Sequence, residues 1–87
     1  MVQYLQLDMV NVKESEVRLK KVGDKLKELR LEAGYKSAET FAFDNEINRV
    51  QYWRMEKGTN FTIKNLLKIL EIHKISIEEF FNKDFDL

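Results

Sequence analysis

No cysteine occurs among the 87 residues, which excludes a disulfide framework and thiol chemistry. Proline is absent too, and there is no low-complexity segment or internal repeat. No apolar run is long enough for a membrane span. The first residues, MVQYLQLDMV, lack the basic start and small-residue cleavage site of a signal peptide, so a soluble cytoplasmic protein is expected. Histidine occurs once, as His73, at the end of a predicted helix, where a surface role near the helix dipole fits better than catalysis. Carboxylates fall on solvent faces and caps without an inward-facing pair. Metal-ligand spacing and a glycine-rich phosphate loop are both missing. An enzyme is therefore not expected, and neither is a cofactor or a metal.

Net charge is also missing, with 15 cations against 15 carboxylates. That balance is unlike the basic excess of a nucleic-acid binder. Its distribution is uneven, however. Between residues 48 and 74, Arg49, Arg54, Lys57, Lys64, Lys68 and Lys74 face only Glu56 and Glu71, a local net charge of +4. The last residues reverse the sign, with Glu78, Glu79, Asp84 and Asp86 against Lys83. Such asymmetry can present a basic face to phosphate while repelling it elsewhere. Ordinary solvated helix faces are the plainer explanation of charge alone.

A chain this short makes one domain with a modest core, for which oligomerisation would be a useful support. In residues 1–14, Leu5, Leu7 and Met9 alternate with polar residues, and then Val10 and Val12 do so in shifted phase. The alternation suits a short strand that pairs with its copy in a second chain. A disordered arm or an extra turn of helix are the alternatives. From Ser15, a candidate cap, to Ala33 the pattern is helical. Leu19, Val22, Leu26, Leu29 and Ala33 form one apolar stripe. Gly23 costs that helix about 1 kcal/mol relative to alanine, so its solid part is expected from Val22. Gly34 ends it.

The stretch Ser37 to Gly58, SAETFAFDNEINRVQYWRMEKG, reads as two short helices with a tight corner at Ile47. Ser37 caps the first, about Ala38 to Asn45, and Asn48 caps the second, which ends at Lys57 with Gly58 beyond it. Tyr52 and Met55 point inward with Phe41 and Ala42. Arg49, Val50, Gln51, Trp53 and Arg54 remain outside. Trp53 can shield the core edge, stack on a sugar or base, or serve a dimer contact. After a loop, Thr62 caps a fourth helix with the stripe Ile63, Leu66, Leu67 and Leu70. Ser76 and Glu79 form a capping box for a fifth, which Ile75, Ile77, Phe80 and Phe81 direct to the core. Phe85 and Leu87 in the tail 82–87 are apolar enough to pack.

Phe41-Ala42, Ile47-Asn48-Arg49, Tyr52 and Met55-Glu56-Lys57-Gly58 together resemble the helix-turn-helix of the lambda-repressor-like family, the Cro and Xre-type regulators. Leu29-Arg30 with Gly34, and Ile63 through Phe81, extend the resemblance to about residues 22–81. Two departures stand out. The family's corner glycine is replaced by Glu46, beside an Asn45 that tolerates positive φ. The segment before Phe41 is one residue longer than usual, which leaves Lys36 and Ser37 as alternatives for one phosphate-facing place.

The resemblance implies an all-α, five-helix DNA-binding domain over residues 15–81, preceded by the 1–14 extension. It implies a homodimeric transcriptional regulator, a repressor by the family's habit, that inserts helix 48–57 into the major groove of double-stranded DNA. Arg49, Val50 and Arg54 are the expected base readers, with Gln51 shared between base and phosphate. Ser37, Lys57, Thr59, Asn60 and Lys64 are the expected phosphate contacts, although Lys64 is equally well a plain exposed lysine. Arg30 and Glu56 are implied to form a structural ion pair. Two other readings stay open: an antitoxin that uses the same fold and adds a toxin-binding surface, and a protein-interaction module without DNA binding.

Overall fold

The computed structural model describes residues 2–82, with side chains from residue 13 onward. It is all-α: α1 Val2–Glu32, α2 Ala38–Asp44, α3 Arg49–Lys57, α4 Ile63–Ile72 and α5 Ile77–Phe80, with no strand among the described residues. Among these residues no helix is long and apolar enough to cross a membrane.

The extension is where expectation and structure part. Residues 2–14 are not a strand but the first turns of α1, which runs unbroken for 31 residues. Ser15 consequently lies inside the helix and caps nothing. Leu5, Met9 and Val12 also recur at four and three residues, the helical period. No glycine or proline precedes Gly23, and a helix already nucleated gains one hydrogen bond per added residue. A lone strand would have needed a partner ladder. Gly23 does not interrupt the helix either. It lies where the end of α3 crosses α1: a Cβ there would stand 2.5 Å from the Glu56 carbonyl oxygen and 2.6 Å from that of Met55.

The core consists of Val22 and Leu26 from α1, Phe41 and Ala42 from α2, Tyr52 and Met55 from α3, Leu66, Ile69 and Leu70 from α4, and Phe80 from α5. Phe41 is its centre. Tyr35 meets it edge-on at 5.2 Å, Tyr52 lies at 4.9 Å, and His73 stacks on it at 5.2 Å with an interplanar angle of 5°. His73 is therefore a packing residue rather than a surface one, and its Nε2 is buried without a hydrogen-bond partner. Burial lowers its pKa, opposed by the charge of Glu32. Three stripe assignments also shift. On α4, Ile63 and Leu67 are exposed and Ile69 is buried in their place. Ile77 is exposed on α5, so Phe80 alone of that short helix enters the core. Ala33, one residue past the end of α1, is exposed, whereas Arg30 on α1 is buried. The expected packing of Phe85 and Leu87 lies outside the described residues.

The helix ends repeat one device. After α1, α2, α3 and α4 a residue takes positive φ: Gly34 at 94°, Glu46 at 56°, Gly58 at 91° and Lys74 at 57°. Each time the next N–H reaches back over the end of the helix, from Tyr35 to the Arg30 carbonyl, Ile47 to Ala42, Thr59 to Arg54 and Ile75 to Leu70. This is the Schellman arrangement, which turns the chain sharply while satisfying a terminal carbonyl. N-caps set the other ends. Ser37, Asn48, Thr62 and Ser76 each accept a backbone N–H, and Ser76 with Glu79 makes the full capping box.

Candidate nucleic-acid interface

α3 is held by its own inner face. Tyr52 and Met55 are buried, and Glu56 turns toward α1. There Arg30 Nε donates to Glu56 Oε2 at 2.7 Å and Nη2 to Oε1 at 3.1 Å, while Nη1 donates to the Tyr35 carbonyl at 2.7 Å. The expected Arg30–Glu56 pair is thus bidentate, with both side chains more than nine-tenths buried. Tyr52 lies beside it. Its hydroxyl makes no hydrogen bond of ordinary geometry, and burial, then the adjacent Glu56 carboxylate, pushes its pKa far up.

This arrangement has an electrostatic consequence. Glu56 is the one carboxylate of α3, and it is turned inward and neutralised. Arg49, Val50, Gln51, Arg54 and Lys57 all face solvent. Gln51 and Arg54 share a shallow groove with Asn48, Val50, Thr59 and Asn60. Val50 is 51% exposed, an apolar spot within a polar, cationic surface. Lys64, at the start of α4, and Ser37, before α2, are exposed as well.

Several of these side chains already have intramolecular work. The Ser37 hydroxyl accepts from Thr40 N at 2.9 Å and donates to Thr40 Oγ1 at 3.0 Å. Asn48 Oδ1 accepts from Gln51 N at 2.9 Å. Thr59 Oγ1 donates to the Arg54 carbonyl at 2.8 Å, which leaves it able only to accept. The Lys57 ammonium lies 5.4 Å from the centre of the Trp53 ring, a cation–π contact that orients both along the outer edge of α3.

Two features escaped the sequence reading. Arg49 Nη1 donates to Glu39 Oε1 at 2.7 Å, across the corner from α3 to α2. The ten-residue separation matches no helical period, so nothing in the sequence marked Glu39. Phe43, near the end of α2, is 82% exposed, a side chain to which the sequence reading gave no place. Among the described residues no group of three or more metal-ligating side chains occurs. Compared with protein-family models, curated proteins and solved structures, the chain matches none.

Proposed function

We propose that this protein is a sequence-specific DNA-binding regulator of the lambda-repressor-like type, with α3 as the helix that enters the major groove. One observation carries the reading: α3 exposes its cations and polar groups while its carboxylate is buried against Arg30. A free carboxylate on that helix would repel phosphate, and withdrawing it leaves the outer face with one sign of charge. Arg49 and Val50 lie in the first turn of α3, and Arg54 follows Val50 one turn later on the same face. Arginine's fork matches guanine O6 and N7, and valine can meet a thymine methyl. Gln51 lies between them, within reach of base or backbone. Lys57, Thr59, Asn60 and Lys64 flank one end of the helix and Ser37 the other, where phosphates of a bound duplex would run.

Binding as a symmetric homodimer to half-sites about one helical turn apart belongs to the same proposal. The test is titration with random duplex DNA and with duplexes selected from a random pool, at several salt concentrations. For four to six phosphate contacts per subunit, a dimer's log–log salt slope is expected at about −6 to −10. Affinity that ignores salt would refute DNA binding.

A second reading is an antitoxin, which adds a protein partner to the same DNA-binding fold; Phe43, 82% exposed, is the side chain such a partner is proposed to cover. Copurification with a small basic protein, lost on Phe43→Ser, is the expected result; retention of the partner would remove that support.

A further inference from the structure

On the reading that α3 enters the major groove, we propose that Glu39 is a specificity-determining residue, which holds Arg49 away from phosphate so that a guanine edge is its preferred acceptor. The two side chains meet at 2.7 Å through Arg49 Nη1 and Glu39 Oε1, and both are about two-thirds exposed. An ion pair so open to water adds little to folding stability. Its consequence falls on what Arg49 can bind.

Glu39 lies in the first turn of α2 and Arg49 in the first turn of α3, so the pair spans the corner at the mouth of the surface that meets DNA. The carboxylate offsets the guanidinium charge, which is the property a phosphate attracts irrespective of sequence. It also occupies Nη1. Nη2 and Nε, which have no partner among the described residues, keep their donors in the planar fork that fits guanine O6 and N7. Paired in this way, Arg49 loses more toward random phosphate than toward the correct base. Val50 and Trp53 border the same open depression as the pair, and their side chains offer Arg49 no hydrogen-bond acceptor beside Glu39.

Glu39→Gln keeps the size of the side chain and removes its charge. Binding of wild type and variant to a selected duplex and to random duplex is measured over a range of salt. For the variant, random-duplex affinity is expected to rise roughly three- to eightfold per bound subunit near 0.1 M salt, with a slope steeper by about one, as one more cation releases a counterion. Affinity for the selected duplex is expected to change less than twofold, so the specificity ratio falls. Plain repulsion by Glu39 would instead raise affinity for both duplexes by the same factor. In an Arg49→Ala background Glu39 has lost its partner, so Glu39→Gln is expected to raise both affinities alike and leave the specificity ratio unchanged; a ratio that still falls there would overturn the role through Arg49. If wild type binds DNA and the variant keeps the same specificity ratio, the inference fails alone. If wild type binds neither duplex at low salt, the DNA-binding reading itself fails.

Discussion

At the scale of single residues, Arg54 and Lys57 are chemically similar and placed differently. Arg54 follows Val50 by one turn, on the same face of α3. Lys57 is at the helix end, over the Trp53 ring. Arg54→Ala is expected to cost about 1–3 kcal/mol on a selected site and far less on random DNA, whereas Lys57→Ala weakens both nearly equally. Equal losses on both DNAs for Arg54→Ala would make it a phosphate contact only. Arg30 belongs to stability rather than recognition. Arg30→Ala would leave Glu56 buried without its partner and the Tyr35 carbonyl without a donor, at a cost of about 3 kcal/mol. Urea unfolding measures it, and a loss below 1 kcal/mol would show that water reaches Glu56 freely.

At the scale of elements, the crossing of α1 and α3 and the helix ends decide most of the geometry. Alanine is the better helix former, yet Gly23→Ala puts a methyl group into backbone carbonyls 2.5 and 2.6 Å away. The expected net effect is destabilisation by about 2 kcal/mol, overpacking exceeding the propensity gain of about 1 kcal/mol. An unchanged or raised melting temperature would mean that α1 and α3 separate without penalty. The four helix ends share a left-handed residue, and two of those residues carry a Cβ. Glu46→Gly and Lys74→Gly remove a left-handed strain of about 1 kcal/mol each and are expected to stabilise the fold. Glu46 is the informative case, because the family pattern expects glycine there and the positive φ falls on Glu46 itself rather than on Asn45, whose φ is −102°. Loss of stability in Glu46→Gly would show that its side chain makes a contact worth more than the strain.

For the molecule as a whole, acid is the condition that finds the half-buried imidazole of His73. Burial lowers the pKa of His73, so the unfolded chain binds a proton more readily than the folded one. Stability contributed in this way is present above the unfolded value near 6.5 and is lost as pH falls below it, toward the lowered folded value. Glu79 acts lower on the scale. Hydrogen bonds from the Ser76 backbone and side chain depress its pKa, and its contribution is lost as pH falls below the ordinary carboxylate range. Urea unfolding between pH 8 and pH 5 is expected to show a falling midpoint that His73→Phe, which keeps a ring stacked on Phe41, removes. The same fall in the variant would place the titrating group elsewhere.

Helix number, order and the caps of α2 to α5 were legible in the sequence because each is local, whereas the expected cap Ser15 lies inside α1. A serine, asparagine or threonine meets an N–H three residues away, and a glycine turns the chain where it stands. The inward face of α3 and the Arg30–Glu56 pair were legible too, the first from three-residue spacing and the second from a resemblance. What only the tertiary structure decided involves residues distant in sequence. The strand-like alternation of residues 1–14 fits a helix equally well at other spacings, and continuity with α1 settled it. Gly23 looked like a weakness until α3 lay across it. His73 looked like a surface cap until Phe41 lay beneath it, and Ile63 and Ile77 looked like core but are exposed among the described residues. Glu39 reaches Arg49 only because the corner at Glu46 and Ile47 folds α2 back beside α3, and no period along the chain encodes a contact made across a turn.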